Sequence, residues 1–550
     1  MSDKNKEIKI KDFYTDTEQL VELDPVTTVP LPPPYDKLEN LPGFKRLKPE
    51  LSERIDTTLD GVLAVGLPKP ESEEKEKELV DAFISGLKKL FSKENNWGFL
   101  QPLILSMEHC ARCQTCNNDC PIYEASGYKE IYRPTFRAEV LRRLYYKYVK
   151  PGSSLFKKFQ NGDIEANWTL ISRLFELSYR CTLCRKCAQS CPIGVDNGLV
   201  THELRKLFSS EMGMSPKELH EKGTVQQLVV GSSTGMNSLV VRDNLDFIDE
   251  DMSERTGFDV KTRWDVEGAD VLLIHNAGEI LAWPENPGAF AILLEAAGIS
   301  WTLSSDMVGY DGVNYGLFYD DVQLARIAMT HFEIAKKLKV KKIVMGECGH
   351  ESKAMGVISD RIFTGAVPRE TAMTLMRDIV FSGKIKFDPS KNNFPVTLHD
   401  PCNLTRAMGV IEPQREVLRY IAPLFREMYP HGPKNYCCGG GSGFAIMNGY
   451  NFQDWKMHIG SRRKFKQILD AFADVDPSSA TPKYVCAPCS NCKGQFRDLF
   501  DFFGAKEKSG LYYGGLVELI VNAMVDIKEP FIDFDMRSEE RRVGKECRSR

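Results

Sequence analysis

The sequence predicts an α+β multidomain protein, an all-helical module followed by two tandem α/β halves. Three observations predict it. A four-cysteine motif occurs twice among helix-patterned segments between residues 100 and 215. From residue 265, short apolar runs of strand length alternate with longer amphipathic helices, the pattern of a mostly parallel sheet. The alternation then starts again, so the α/β region reads as two related halves of roughly 125–140 residues.

Residues 1–100 form an N-terminal extension without a chemical motif. Pro30–Pro34 (PLPPP) reads as a stiff, extended stretch. From Glu73 to Phe91, Leu79, Val80, Phe83, Leu87 and Leu90 recur at helical spacing. A helix packed on the main body is the plain reading, and a membrane-surface or partner-docking helix the alternative. Residues 101–215 hold the helical module, with helices over Arg137–Tyr148, Trp168–Tyr179 and Gly198–Ser209. Residues 216–264 read as a polar connector, with SSTGMNS and little periodicity.

The first α/β half spans 265–390, with strands at Val271–Ile274, Trp301–Leu303 and Lys342–Met345. Its helices fall at Ala289–Ala297 and Val322–Leu338. The second half spans 391–530, with strands at Val396–His399 and Tyr484–Val485 and helices at Arg415–Phe425 and Lys456–Phe472. Cys348, Cys402 and Cys486 stand at strand ends, where such sheets place their sites.

Charge and hydropathy exclude several classes. Lys plus Arg is 72 and Asp plus Glu is 76, a net charge of −4 that offers no footprint for wrapping nucleic acid. No run of apolar residues is long enough to span a bilayer. The polar start MSDKNKEIKIKDF lacks a signal core, so the chain is expected in the cytoplasm. That compartment disfavours disulfides. The 16 cysteines are nevertheless mostly grouped, and grouped cysteines there hold metal more often than they bridge one another.

Cys110, Cys113, Cys116 and Cys120–Pro121 form one C-x2-C-x2-C-x3-C-P motif, and Cys181, Cys184, Cys187 and Cys191–Pro192 the other. One short loop wraps three thiolates around a cubane face, and the fourth cysteine reaches the other cubane. This assigns Cys110, Cys113, Cys116 and Cys191 to one 4Fe–4S cluster, and Cys181, Cys184, Cys187 and Cys120 to the second. Zinc sites use isolated pairs rather than a doubled run. Two close clusters make a wire for single electrons. Arg112 and Lys186 lie in the loops, where they either offset cluster charge or are simply solvated.

A second set comprises Cys402, Cys437–Cys438–Gly439 and Cys486-x2-Cys489. Adjacent cysteines do not suit one relaxed tetrahedral ion, but they suit two irons of an extended cluster. Gly439, Gly440, Gly441 and Gly443 let backbone approach an inorganic core. A disulfide with a structural metal is the alternative. No G-x-G-x-x-G follows a strand, so no flavin or nicotinamide is expected on this chain.

The pattern C-x34-CCG followed by CxxC resembles the CCG domain of heterodisulfide reductase catalytic subunits. The fused order, with the eight-cysteine module first, is similar to the HdrD type and more so to the DsrK type of the DsrMKJOP membrane complexes. The resemblance covers roughly residues 100–530 and implies an all-helical ferredoxin domain followed by two tandem α/β CCG domains. It implies a noncubane 4Fe–4S cluster held by Cys402, Cys437, Cys438, Cys486 and Cys489. The gap from Gly439 to Cys486 is longer than the family's, consistent with an insertion around Asn448–Ser461.

The first half departs further from the pattern. It carries Tyr310-Asp311-Gly312 in place of CCG, Asn276-Ala277-Gly278 in place of the first cysteine, and of the CxxC only Cys348. Such a half does not hold five thiolates, which favours the one-cluster DsrK type. Cys348 is then a ligand, a catalytic thiol or a buried apolar cysteine, with His350 and Glu351 beside it as proton carriers or a satisfied loop pair. Cys492 is a spare ligand, a substrate-facing thiol or the first turn of the next helix. His399 and Asp400 precede Cys402 and are placed to orient its loop.

The resemblance further implies a catalytic subunit peripheral on the cytoplasmic face of the inner membrane. Electrons would come from quinol through a DsrM-like haem b subunit among other Dsr subunits, pass the two cubanes, and reduce a sulfur–sulfur bond at the noncubane cluster. The substrate would be a trisulfide on a DsrC-like small protein or, in heterodisulfide reductase, the CoM–CoB disulfide. A metal-free variant runs thiol–disulfide exchange at Cys348 or Cys492. An electron-transfer subunit of a glycolate or glycerol-3-phosphate type oxidoreductase is the competing reading. Residues 537–550 include RSEERRVGKEC, which reads as translated sequencing adapter, so Cys547 is set aside and the natural C-terminus is expected to be missing.

Overall fold

A computed structural model describes residues 8–16, 20–21, 27–37, 59–60, 67–96, 98–152, 155, 159, 162–306, 309–358, 367–447 and 452–534. Cys547 and the adapter-like tail lie outside the described residues, as do Asn448–Asn451 of the expected insertion. The chain divides into two compact units. The first comprises residues up to Thr224 together with Tyr315–Ala325 and Tyr436–Lys466, and the second comprises the rest. Among the described residues, no helix is long and apolar enough to cross a membrane.

In the first unit, α1 (Glu73–Leu90) starts at Ser72, whose hydroxyl accepts from Lys75 N. Acidic residues fill its first turn and Lys88 and Lys89 its last, as the helix dipole favours. Helix α2 (Leu100–Glu108) stops just before Cys110. Helices α3 (Pro134–Tyr148), α4 (Trp168–Ser178) and α5 (Asn197–Met212) follow. The apolar stripe of α1 packs on α5, with the Phe83 and Phe208 rings 5.7 Å apart. Gly86 permits that approach, since a Cβ there would lie 2.8 Å from the Glu211 side chain. The stripe of α1 is thus used inside the unit.

The N-terminal extension also belongs to this unit. Phe13 lies 5.1 Å from Phe136, and Arg173 Nη1 donates to the carbonyls of Asp12 and Thr15 at 2.8 Å. The proline run is not extended throughout as expected. It turns, with Tyr35 N donating to Pro32 O at 2.9 Å around a cis Pro33–Pro34 bond.

The second unit corrects the polar connector, which contains α6 (Ser238–Thr256). Asn237 caps that helix, and Val241, Leu245, Ile248 and Met252 form a buried stripe at helical spacing that the charged residues between them mask. Strands β1 (Val271–Ile274), β2 (Trp301–Thr302), β3 (Lys342–Met345) and β4 (Arg369–Thr371) form one parallel sheet in the order β2-β1-β3-β4. Strands β5 (Val396–Leu398), β6 (Phe425–Arg426), β7 (Lys483–Cys486) and β8 (Leu511–Gly514) form a second, in the matching order β6-β5-β7-β8.

All four residues of β1 are buried, and successive side chains enter different cores, as a two-residue period requires. Val271 and Leu273 enter a core that also takes Val396, Leu398 and Tyr484 from the second sheet. Leu272 and Ile274 enter a separate cluster with Phe332, Ile343 and Met345.

The sequence reading missed β4, β6 and β8. The helix expected over Arg415–Phe425 is instead α7 (Pro413–Ile421). Ala422 precedes Pro423, is extended at φ −127°, and so ends the helix before Phe425 and Arg426 pair as β6. The helix expected over Lys456–Phe472 is interrupted. A π-turn at Lys456–Gly460 is followed by Ser461 and then a helix over Arg462–Ala471.

Candidate metal centres

Two cavities in the first unit are each lined by four cysteines. Cys110, Cys113, Cys116 and Cys191 line one, and Cys120, Cys181, Cys184 and Cys187 the other. The two loops share an unusual backbone. Arg112 and Gln114 flank Cys113 at φ 55° and 61°, and Leu183 and Arg185 flank Cys184 at φ 51° and 59°. Non-glycine residues rarely adopt this left-handed conformation, and here four do so at matching positions. The turn wraps each loop about its cavity. Cys120 and Cys191 each precede a proline.

Hydrogen bonds already point at the sulfurs. Val195 N donates to Cys191 Sγ at 3.2 Å and Asn197 Nδ2 to Cys116 Sγ at 3.5 Å. In the other cavity, Leu183 N donates to Cys181 Sγ at 3.4 Å and Arg137 Nη2 to the same sulfur at 3.2 Å. Burial pushes the Cys116 thiol up to about 11 and the Cys120 thiol up to about 12.

The loop cations Arg112 and Lys186 are engaged by acids, Glu139 and Asp119 respectively. Sequence reasoning missed the cations that matter more, Arg137 on α3 and Arg205 on α5, both buried. Their signal was a cation set among apolar residues of a helix. Sequence reasoning also missed Asp60, which pairs with Arg180 beside the second cavity at 2.9–3.0 Å. Four thiols on each cavity and donors aimed at sulfur fit an iron–sulfur cluster in each, and the second cavity adds buried guanidiniums.

The Cys437–Cys438 loop also belongs to the first unit. Gly439 N donates to Cys437 Sγ and Gly440 N to Cys438 Sγ, both at 3.4 Å. Gly439, at φ 92°, leaves no room for a side chain, because a Cβ would lie 2.1 Å from Ser461 Oγ. Gly441 abuts the second cubane loop, where its Cβ would lie 2.6 Å from Thr182 O and 3.5 Å from Cys437 Sγ. Arg205 ties the same two loops together. Its Nη2 donates to Cys181 O at 2.8 Å, and its Nη1 donates to the Ser442 hydroxyl.

The second unit holds Cys402 after β5, Cys486 at the end of β7, and Cys489 at the start of α8 (Ser490–Phe503). Cys489 is the centre of a thiol group. It accepts from Gly349 N at 3.3 Å and is hydrogen-bonded to Cys348, Cys492 and His350. These donors hold the Cys489 thiol well below its ordinary range. Cys348, donating to it and buried, keeps its own proton. Burial likewise pushes Cys486 well up. Asp400 braces the Cys402 segment, accepting from both terminal nitrogens of Arg415 at 2.7 and 2.6 Å and from Gly432 N at 2.6 Å. The His399 ring rests against Phe496 at 5.1 Å.

In the first half, the positions without cysteine carry hydrogen-bonding groups instead. Asp311 accepts from the N–H groups of Ser233 at 2.8 Å, Val313 at 2.9 Å and Ala277 at 3.2 Å. Asn276 Nδ2 donates to Cys348 Sγ at 3.8 Å. Gly312 abuts the Glu351 carboxyl, which a Cβ would approach to 2.1 Å. Burial first, and then Glu279 and Asp311, push that carboxyl well up, so it is neutral.

Comparison with known proteins agrees with both cysteine-bearing regions. Residues 106–195 match the family described as a 4Fe-4S dicluster domain, and residues 396–497 match the cysteine-rich CCG domain. The chain is 27% identical over 489 residues to the Hdr-like menaquinol oxidoreductase iron-sulfur subunit 2 of Archaeoglobus fulgidus, covering 79% of this chain and 83% of that protein. It is 26% identical over 388 residues to one subunit of the dihydromethanophenazine:CoB–CoM heterodisulfide reductase of Methanosarcina acetivorans, covering 69% and 87%. A related Hdr-like menaquinol oxidoreductase iron-sulfur subunit of Archaeoglobus profundus is 27% identical over 467 residues, covering 76% and 79%.

Proposed function

We propose, from its similarity to CCG-domain, heterodisulfide-reductase-like iron–sulfur oxidoreductases, that the chain is the catalytic electron-transfer subunit of a quinol-linked membrane complex. It sits peripherally on the cytoplasmic face and takes electrons from a haem-bearing membrane partner of the DsrM kind. Two cubanes and a noncubane cluster on Cys402, Cys437, Cys438, Cys486 and Cys489 supply one-electron relay when bound. The reaction is reduction of a sulfur–sulfur bond: R–S–S–R′ with two electrons and two protons gives RSH and R′SH.

One observation carries this reading. Inside the first unit, Arg205 and the Gly441–Thr182 contact join the second cubane loop directly to the Cys437–Cys438 loop. The chain's own groups do the rest. The left-handed residues shape the cubane loops, and Gly439 keeps the adjacent cysteines against their backbone. Cys348, Cys492 and His350 hold donors at Cys489 Sγ, placing protons where a sulfur fragment needs them.

The substrate class is a disulfide or trisulfide. The relatives' names favour a heterodisulfide-type or quinol-linked reaction over the trisulfide of a DsrC-like protein. EPR of anaerobic protein with iron and sulfide counted tests the proposal, using a small heterodisulfide and a protein-borne trisulfide in parallel. A distinct oxidised-state signal that changes with either substrate is expected. Fully loaded protein with two cubane signals and a substrate-blind CCG site would overturn it.

A further inference from the structure

The two cubane cavities differ in charge rather than in the number of hydrogen bonds. Around the cavity of Cys110, Cys113, Cys116 and Cys191, the sulfur contacts from Val195 N, Asn197 and Thr115 are neutral. The local cation Arg112 is half-exposed and paired to Glu139 at 3.1 Å. Around the cavity of Cys120, Cys181, Cys184 and Cys187, three cations are likewise matched by acids: Arg180 by Asp60, Arg185 by Asp196 and Lys186 by Asp119. Arg137 and Arg205 are not matched. Among the described residues, neither has a carboxylate within ion-pair distance. Arg137 is 3% exposed and Arg205 is fully buried.

Two buried cations without counter-charge are costly unless an anion stands beside them. Both face Cys181, Arg137 at its sulfur and Arg205 at its carbonyl. A thiolate-ligated cubane is that anion, and it gains one more negative charge on reduction. Burial alone opposes the added charge, whereas the two unmatched guanidiniums favour it, Arg137 through a charge-assisted bond to the Cys181 sulfur and Arg205 at longer range through the Cys181 carbonyl.

We infer that Arg137 and Arg205 make the cluster of Cys120, Cys181, Cys184 and Cys187 the higher-potential of the two cubanes, so that an electron entering the module comes to rest beside the Cys437–Cys438 loop. This rests on the two-cubane reading of the module. Arg137 acts as a tuning residue through Cys181 and has no contact with substrate.

A potentiometric EPR titration of the full-length, cluster-loaded protein tests it. The parent protein is expected to show two reduced cubanes with separate midpoints. Arg137→Gln lowers the higher midpoint alone, by at least a tenfold change in its reduction equilibrium, equal to 59 mV for one electron. Arg137→Lys keeps the charge and restores most of the shift. Asp60→Asn removes one of the two carboxylates beside Arg180, leaving Glu176, and moves the same midpoint upward, so general damage does not imitate the pair of results. Coincident midpoints in the parent protein, or unchanged midpoints in fully loaded Arg137→Gln and Asp60→Asn, would overturn the inference. A spin count below two cubanes in the parent protein would overturn the reading on which it rests.

Discussion

The two α/β halves share one strand order and differ at the strand ends. In the second half, thiols stand at the ends of β5 and β7, and the buried carboxylate Asp400 is answered by a full cation, Arg415. In the first half, Asn276 follows β1, Cys348 alone follows β3, and the buried Asp311, which stands where the second half has CCG, is answered only by neutral donors. The loops at these strand ends need an organising centre in either case. The first half supplies it from its own hydrogen bonds, whereas the second places Cys402, Cys486 and Cys489 there, a donor set that suits a metal.

Breaking the second half at its thiols tests the comparison most severely. Cys486→Ala with Cys489→Ala is expected to remove the iron of the CCG site while both cubane EPR signals persist, read by iron count and spin integration. Arg415→Ala comes next. It leaves Asp400 buried and unpaired, and denaturant titration should show a loss of about 3–5 kcal/mol. In the first half, Asp311→Ala orphans the N–H groups of Ser233, Ala277 and Val313, each costing roughly 1–3 kcal/mol when left unsatisfied. The iron content should not change, which separates a hydrogen-bonded centre from a metal-bearing one. Gly312→Ala presses a Cβ onto the Glu351 carboxyl, and overpacking of that kind costs about 1–3 kcal/mol.

The smallest effect sharpens the comparison from the side of the thiols. Burial holds the Cys116 thiol at about 11 and the Cys120 thiol at about 12, so iron must displace their protons. Cluster loading should therefore strengthen as pH rises and weaken as it falls, while the hydrogen bonds of Asp311 contribute no such metal-linked slope. Anaerobic reconstitution followed by absorbance at several pH values reads this directly.

The architecture was legible where spacing carries it. The doubled cysteine motif, the helices that flank it and β1, β3, β5 and β7 all follow from local pattern. Short edge strands did not. Phe425–Arg426 is too brief for a period-two signal and lies just beyond a helix whose apolar pattern runs on past Pro423. Helix α6 was hidden because Arg242, Asp243, Asp246 and Glu250 surround its buried stripe. The thiols of the site were readable by number, but their surroundings were not. Arg137, Arg205 and Asp60 meet the cubane loops only through tertiary packing, since 120 residues separate Asp60 from Arg180.

That last pairing bears on how the helical module is handled in isolation. The segment before α1 carries no motif, and trimming it to leave a minimal ferredoxin would look harmless. A protein begun at residue 67 would, however, lose Asp60, which accepts from both the Arg180 guanidinium and the Tyr132 hydroxyl, and would leave Glu176 as the carboxyl beside Arg180. The module is therefore not a portable cassette, because one of its counter-ions is encoded well upstream of the motif by which it is recognised.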